Sequence, residues 1–143
     1  MSLNLFLDNL IKFNLMFSIN NKIIVVTGGE GVLGKKMIST FRENGAIAIS
    51  VDINFEQQGE DDFVMDISSE NSVNSVVDII IKKYNRIDGW VNNAYPRTND
   101  WGNKFENILI ESWRKNIDMH MNGYFLCCKV VLEKMKKQGF GSL

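Results

Sequence analysis

Four short apolar runs in this chain have the composition of buried strands, and amphipathic stretches separate them. The runs are residues 22–27, 46–51, 63–65 and 89–92. After the first, third and fourth runs, apolar residues recur at steps of three and four, which predicts helices with one buried face. The order strand, helix, strand, strand, helix, strand, helix predicts an α/β fold, the N-terminal half of a doubly wound parallel sheet with about four strands.

The last helical stretch carries the longest apolar stripe: Trp113, Ile117, Met121, Tyr124, Cys128, Val131 and Met135. Such a stripe is more typical of a core or a subunit interface than of a cofactor site. Residues 97–110 lack a clean period and are interpreted as a surface loop with a short helix. Ser68 or Ser69 is expected to cap the helix after the third run.

Both ends of the chain stand apart from this alternation. Residues 1–20 are interpreted as an N-terminal extension, and residues 21–143 as one nucleotide-binding domain. The extension has a loose amphipathic stripe, so a partner-binding helix is the alternative to an upstream segment without a role. At the other end the sequence stops where a fifth strand is expected, which would leave the fourth strand as an open edge.

A glycine-dense turn follows the first run, and Gly29-x-Gly31-x-x-Gly34 has the spacing of a dinucleotide-binding fingerprint. In that fingerprint one glycine allows a tight turn, and another lets a pyrophosphate approach bare backbone. A third glycine lets the helix pack close to the strand. The helix N-terminus then supplies free N–H groups and the positive end of a dipole.

Polar residues end the second and fourth runs. Asp52 lies 18 residues beyond Gly34, close to the offset of ~20 at which an acid meets the adenosine ribose. A solvated acid at a strand end is the alternative. Asn92 and Asn93 follow the fourth run, where open α/β sheets place their ligands, although asparagine is also common in turns.

Composition narrows the classes of function. The formal net charge of −1 gives no electrostatic footprint for nucleic acid or an anionic membrane surface. No apolar run approaches the ~18 residues of a membrane span. Cys127 and Cys128 are helical neighbours that point to different sides, so they are interpreted as reduced core thiols of a cytoplasmic protein. With His120 as the single histidine, no metal site is expected.

Four features, in this order, resemble the short-chain dehydrogenase/reductase family. They are Thr27-Gly28-x-x-Gly31-x-x-Gly34, Asp52, Asp66-Ile67 and Asn92-Asn93-Ala94. The likeness extends from about Asn20 to the last residue and implies a Rossmann-like fold. It also implies an NAD(P)-dependent oxidoreductase, which transfers hydride between nicotinamide and a carbonyl or alcohol, a sugar being one option. Residues 91–101 and 112–128 are similar to the branch of flagellin modification and nonulosonic-acid sugar oxidoreductases.

The resemblance implies a cofactor site formed by Gly28, Glu30, Gly31, Val32, Leu33, Gly34, Asp52, Asp66, Ile67, Asn93 and Ala94. The glycine turn would hold the pyrophosphate, Asp52 the adenosine ribose, and Asp66 the adenine. A carboxylate beside the ribose 2′-OH would repel a 2′-phosphate, so NAD is expected to be preferred over NADP. A small-molecule substrate is the other expected partner, and a homo-oligomer is one option for assembly.

The chain departs from the family pattern at three places. Tyr95 stands where Asn-Asn-Ala is usually followed by glycine. His120, seven residues after Trp113, stands where the family has a helix asparagine. This histidine is interpreted either as a satisfied polar residue or as part of a proton relay. The spacing of Gly28, Gly31 and Gly34 is closer to the nucleotide-sugar branch, so an epimerase-like protein is an alternative.

The family's catalytic Ser and Tyr-x-x-x-Lys are absent, since none of the three tyrosines has lysine four residues later. The 143-residue chain alone is therefore expected to be inactive. A non-catalytic nucleotide-binding fragment is the main alternative. A methyltransferase also joins a glycine turn to an acid after the second strand, but Thr27-Gly28 and Asn92-Asn93-Ala94 argue against that class.

Overall fold

The computed structural model describes residues 18–143, in which the elements follow the predicted alternation. The strands are β1 (Ile23–Thr27), β2 (Ile47–Asp52), β3 (Asp62–Val64) and β4 (Gly89–Val91). The helices are α1 (Val32–Glu43), α2 (Glu70–Tyr84), α3 (Ile110–Ile117) and α4 (Gly123–Gln138), with a 3₁₀ turn at Phe105–Asn107 and a π-helical segment at Asp118–Asn122. The hypotheses about residues 1–17 lie outside the described residues.

The four strands form one parallel sheet in the order β3-β2-β1-β4. β1 pairs with β2 on one side and β4 on the other, and all five of its residues are buried. Strands covered on both faces read as continuous apolar runs, which explains the sequence pattern of β1. The prediction of a Rossmann-like α/β sheet is confirmed.

Alternate residues of β1 face opposite helical layers. Val25 belongs to the larger core cluster, which packs α2 and α4 against the sheet through residues such as Val77 and Val131. Val26 faces the other side, where it meets Ile38 of α1. The result is a three-layer arrangement with helices on both faces of the sheet.

The helix ends follow the expected chemistry. Ser69 caps α2 by accepting a hydrogen bond from the Ser72 N–H, as one of the two predicted serines. Gly45, just after α1, has φ +82°, the left-handed conformation that favours glycine. Within residues 18–143, no helix is both long and apolar enough to cross a lipid bilayer.

The predicted stripe of the last helix is only partly buried. Val131 and Met135 lie in the core, but Trp113, Ile117 and Met121 are 51%, 45% and 65% exposed. Of the two interpretations of the stripe, burial in the chain's own core does not hold for these three residues, and the subunit interface stays a prediction. The π-helical segment lies among them, and its wider turn rotates the face that follows relative to a regular 3.6-residue period.

The carboxyl-terminal residues pair with β4. Ser142 bridges to Gly89 in a parallel sense, and the Trp90 N–H donates to the Ser142 carbonyl oxygen at 3.0 Å. The Ser142 N–H donates in turn to the Asp88 carbonyl oxygen at 3.0 Å. The expectation of a fully open β4 edge is wrong, because Ser142 occupies part of that edge as a fifth strand would.

Candidate cofactor site

A cavity of about 760 Å³ opens at the carboxyl ends of all four strands. After β1 the chain moves outward through β2 to β3, whereas β4 lies on the opposite side of β1. Open α/β sheets bind their ligands at such a point, where the strand order reverses. The cavity lining comes from the segments after each strand, together with Lys115 and Met119 of the last helical region.

Three glycines of the turn are required by the protein's own packing. Gly28 has φ +68°, and a Cβ there would lie 2.7 Å from Ala94 Cα. A Cβ on Gly29 would lie 2.0 Å from Ser50 Oγ, and one on Gly34 would lie 2.0 Å from the Gly28 carbonyl oxygen. These close approaches explain how β1, β2 and α1 come together around the turn.

Gly31 is the exception within the turn. A Cβ there would meet only the Gly28 carbonyl oxygen, at 3.2 Å, and its φ of −69° and ψ of 166° suit any residue. The protein's own packing therefore gives little reason for a glycine at this position. Bare backbone beside a cavity allows the close approach of an external group.

The N-terminus of α1 faces the same cavity. Gly31 is its N-cap and provides no side-chain cap, and the first turn contains no acidic residue. The exposed residues Val32 and Leu33 line the cavity there. An uncapped helix start presents N–H donors and the positive end of the helix dipole, which together suit an anion.

Asp52 links the end of β2 to the glycine turn. One carboxylate oxygen accepts a hydrogen bond from the Glu30 N–H at 3.0 Å, and the other accepts from the Ile53 N–H at 2.7 Å. Each oxygen keeps a further lone pair for a hydroxyl donor. Glu30 itself pairs with Lys35 at 3.1 Å, and this hydrogen bond and charge raise the pKa of Lys35.

Asp66 and Ile67 form the part of the lining that follows β3. One Asp66 oxygen accepts from the N–H and the hydroxyl of Ser68, at 2.8 and 2.7 Å. Ile67 is buried, and Met65 and Met119 line the same cavity. This part of the cleft combines an apolar floor with a carboxylate at its margin, which suits a flat heterocycle with polar edges.

A buried hydroxyl joins the glycine turn to the segment after β4. Thr27 is 1% exposed, and its Oγ accepts from the N–H groups of Asn93 and Ala94 at 3.0 and 3.1 Å. The Asn93 side chain donates back to the carbonyl oxygens of Thr27 and Gly28, both at 3.1 Å. Asn93 therefore lines the cavity while its amide holds the turn in place.

All the predicted cofactor residues except Gly34 line this cavity, and Gly34 lies beneath the turn. The sequence analysis missed several lining residues: Val51, Ile53, Asn54, Met65, Ser68, Pro96, Arg97, Lys115 and Met119. Most of them adjoin a recognised motif. Lys115 and Met119 lie four residues apart, which is the spacing of one helix face, but no motif marks them.

His120 does not line the cavity. Its Nε2 donates to the Pro96 carbonyl oxygen at 2.7 Å, and its ring packs edge-on against Tyr95 with 4.1 Å between centroids. This contact fits the interpretation of a satisfied polar residue. The proton-relay hypothesis stays a prediction.

Two of the three tyrosines are occupied by internal hydrogen bonds. Tyr84 donates to Asp61, and Tyr124 donates to the Ala94 carbonyl oxygen at 2.6 Å. Burial raises the pKa of both phenols. Lys83 lies over the Tyr84 ring and acts to lower the pKa of this phenol, but burial and the Asp61 carboxylate outweigh it. With raised pKa values, neither phenol is suited to proton exchange near neutral pH.

The cysteines are free thiols, as predicted. Cys127 is buried and Cys128 half-buried. Burial raises the pKa of Cys127 to about 12, so this thiol is a poor nucleophile at neutral pH. Among residues 18–143, no three histidine, cysteine, aspartate or glutamate side chains are grouped as a metal site would require.

Comparisons with known proteins agree with this arrangement. The short chain dehydrogenase family model matches residues 22–143. Post-translational flagellin modification protein A of Campylobacter coli is 32% identical over 139 residues, covering 87% of this chain and 54% of that protein. NAD-dependent glycerol dehydrogenase of Listeria innocua is 28% identical over 140 residues, covering 92% of this chain and 54% of that protein.

The fold comparison leads to the same group. Ligand-free aldohexose dehydrogenase of Thermoplasma acidophilum superposes with a TM-score of 0.72 and 26% identity, covering 83% of this chain and 46% of that one. The chain thus spans about half the length of the relatives it matches. The family match, the parallel sheet and the glycine turn agree: this chain belongs to the short-chain dehydrogenase/reductase family of oxidoreductases.

Proposed function

We propose that this chain is the cofactor-binding part of an NAD-dependent oxidoreductase that acts on a carbonyl or alcohol group of a sugar. One observation carries the proposal: the uncapped start of α1, bare Gly31 and Asp52 line the same cavity. Similarity to a glycerol dehydrogenase and an aldohexose dehydrogenase supports the substrate class. Similarity to a flagellin modification protein supports the branch expected from the sequence.

The residues of the cleft fit a dinucleotide. NAD, when bound, supplies a nicotinamide ring that exchanges hydride with the substrate. Gly31 and the first N–H groups of α1 would hold the diphosphate, and Asp52 would accept hydrogen bonds from the adenosine ribose. Ile67 and Asp66 would hold the adenine. The Thr27–Asn93 hydrogen bonds keep these groups in position relative to one another.

We further propose that this chain binds NAD without completing turnover. A carbonyl reduction needs a proton donor whose pKa is matched to the operating pH. Tyr84 and Tyr124 have raised pKa values, and no tyrosine has lysine four residues later. The lack of a suitable tyrosine also supports the alternative, a nucleotide-binding module that acts with another chain.

For the division of the chain, we propose that residues 1–20 are an extension and that residues 21–143 form the NAD(P)-binding domain.

Cofactor choice tests the proposed function. Wild-type chain should bind NAD at least about tenfold more tightly than NADP, a difference of ~1.4 kcal/mol. The Asp52 carboxylate would repel a 2′-phosphate, so Asp52→Asn should reduce this preference. Isothermal titration with both cofactors measures it. Asp78→Asn, on the exposed face of α2, is the matched control and should leave the preference unchanged.

Two outcomes would contradict the cofactor assignment. One is tighter binding of NADP than of NAD by the wild-type chain. The other is a preference that Asp52→Asn leaves at its wild-type value.

We also propose that the chain associates with a second copy of itself. Large apolar residues at near-helical spacing are 45–69% exposed along the last helical region: Trp113, Ile117, Met121, Phe125 and Leu132. An apolar face of this kind marks a protein interface more often than a solvated surface. Packed against its own copy, the face would bury the same residues on both partners, as a two-fold interface requires.

Light scattering after size-exclusion chromatography measures this association. We expect a dimer or larger species for the wild-type chain and a shift toward monomer for Phe125→Glu. Lys137→Glu adds the same acidic residue at an exposed position about 120° around α4 from Phe125 and should leave the mass unchanged. A monomeric wild-type chain at micromolar concentration would refute the proposed interface.

We also propose a cytoplasmic location, which the free thiols of Cys127 and Cys128 support.

A further inference from the structure

The last helical region holds the segment after β4 through three side chains, which we call the clamp: Asn116, His120 and Tyr124. Asn116 Nδ2 donates to Thr98 Oγ1 at 2.7 Å. His120 Nε2 donates to the Pro96 carbonyl oxygen at 2.7 Å, and the Tyr124 hydroxyl donates to the Ala94 carbonyl oxygen at 2.6 Å. Successive contacts are four residues apart on the helix side and two residues apart on the segment.

This register has a simple geometric basis. Four helical residues advance about 6 Å, and two residues of extended chain advance about 6.6 Å. A segment that runs extended and antiparallel to the helix therefore meets every fourth helical side chain with every second residue. The pattern continues for one more step, since Asn92 Nδ2 donates to Cys128 Sγ at 3.2 Å. These four contacts together hold residues 92–98 against the last helical region.

The residues between the clamped positions line the cofactor cavity, together with the clamped residues Ala94 and Pro96. Asn93 reaches the glycine turn, as described above, and Tyr95 and Arg97 follow it at steps of two. The Tyr95 ring is held edge-on by His120 and by Trp101, whose ring centroid lies 5.2 Å away. The Arg97 guanidinium lies over the Tyr95 ring at 5.6 Å from its centroid. Arg97 is therefore supported at its backbone and along its side chain.

Arg97 and Lys115 are the cations of this cavity lining. They flank the Asn116–Thr98 hydrogen bond in sequence, one on each side of the contact. Neither forms an ion pair with any residue in the range 18–143, whereas Lys35 and Lys83 do. Within the described residues, two positive charges thus lie at one cavity without a carboxylate in salt-bridge contact.

The carboxylates of the cavity lining form ion pairs or hydrogen bonds with residues other than Arg97 and Lys115. Glu30 pairs with Lys35, Asp52 accepts two backbone N–H groups, and Asp66 accepts twice from Ser68. They belong to the segments after β1, β2 and β3, whereas Arg97 belongs to the segment after β4. The charges of the cavity are therefore separated between its walls.

We propose that Arg97 and Lys115 form a subsite for an anionic group, a phosphate or a carboxylate, and that the clamp positions Arg97 for this role. The proposal deepens the proposed function and rests on it. A guanidinium presents paired N–H donors that match the oxygens of both groups. The anion belongs either to the cofactor, as its diphosphate, or to the substrate, as a charged substituent.

Two titrations separate these sources. If the subsite serves the cofactor, Arg97→Gln should weaken ADP-ribose binding at least fivefold and leave adenosine binding unchanged. If it serves the substrate, both should bind as in wild type. Inorganic phosphate or acetate should then bind the NAD-saturated wild-type chain, and Arg97→Gln should abolish that binding. Lys115→Gln should act in the same direction, and Arg114→Gln, which changes an exposed neighbour outside the cavity, is the matched control.

A double-mutant cycle of ligand affinities, which combines His120→Ala with Arg97→Gln, tests whether the clamp positions Arg97. His120→Ala should reproduce most of the effect of Arg97→Gln on the affected ligand and add nothing in the Arg97→Gln background. Tyr124→Phe, which removes only the hydroxyl donor, should act in the same direction. His120→Gln keeps an amide donor and should restore part of the affinity. If His120 served the fold alone, His120→Ala would lower the unfolding temperature equally in the wild-type and Arg97→Gln chains and would leave the ligand affinity unchanged.

The inference is overturned if Arg97→Gln changes neither ADP-ribose binding nor the phosphate and acetate titrations. It is also overturned, for the clamp, if His120→Ala and Arg97→Gln have independent, additive effects. Failure of the proposed function looks different: the wild-type chain would bind neither NAD nor ADP-ribose. The phosphate titration of the unliganded chain, with Arg97→Gln beside it, would then decide on the subsite alone.

Discussion

Gly34→Ala is expected to destabilise the chain by about 3 kcal/mol or more, because overpacking against backbone has no inexpensive relief. The new Cβ would lie 2.0 Å from the Gly28 carbonyl oxygen and 2.8 Å from Gly29 Cα. Neither atom belongs to a flexible side chain, so α1 would have to move away from β1. That movement would also open the packing of Ile38 against Val26. Urea unfolding, followed through the fluorescence of buried Trp90, measures the loss.

The control uses the same substitution where space is free. A Cβ on Gly102 would meet no heavy atom within 4 Å, so Gly102→Ala should change the free energy of unfolding by less than about 0.5 kcal/mol. Equal stability of the Gly34→Ala and Gly102→Ala variants would show that the contact of α1 with the glycine turn is not tight in solution.

Gly31→Ala, three residues before the Gly34 position, should change the stability little and weaken NAD binding strongly. Its Cβ would approach only the Gly28 carbonyl oxygen, at 3.2 Å, and its backbone angles suit alanine. We expect a loss of stability below about 1 kcal/mol, part of it from the poorer N-cap. The methyl group would occupy the space proposed for the diphosphate, so NAD affinity should fall at least about tenfold, or ~1.4 kcal/mol.

Calorimetric titration with NAD and with adenosine locates this effect. Adenosine has no phosphate, so its affinity should be the same for Gly31→Ala and the wild-type chain. If NAD binds both proteins equally, the diphosphate does not lie against Gly31. If Gly31→Ala unfolds as readily as Gly34→Ala, the glycine at position 31 serves packing rather than a ligand.

Much of the fold was predictable because its signals are local. The apolar run at Ile23–Thr27 predicts a strand buried on both faces, and the glycines after it predict a tight turn into a helix. Parallel strands end at the same edge of a sheet, so Asp52 and Asn93 were expected near that turn. The cavity lining confirms that these residues lie together.

The last helical region shows where local reasoning stops. Periodicity correctly indicated a long helix, but it left open whether Trp113, Ile117 and Met121 lie in the core or at a subunit interface, and the structure leaves them exposed. A stripe does not reveal whether another element covers it. The π-helical turn at Asp118–Asn122 also changes which side chains share a face, and no local motif marks it.

The sequence by itself determined the strand and helix order, the parallel sheet, the glycine turn and the acids at the strand ends. The elements, the turn and the acids depend on neighbours within a few residues, where spacing and conformational preference act directly. The parallel sheet follows from the alternating order of strands and helices. Only the tertiary structure decided that Thr27 Oγ holds the backbone of Asn93, 66 residues away, and that His120 holds Pro96. Such contacts depend on how elements pack across the fold. The difference between Gly31 and Gly34 has the same origin: identical residues, one facing an open cavity and the other pressed against backbone.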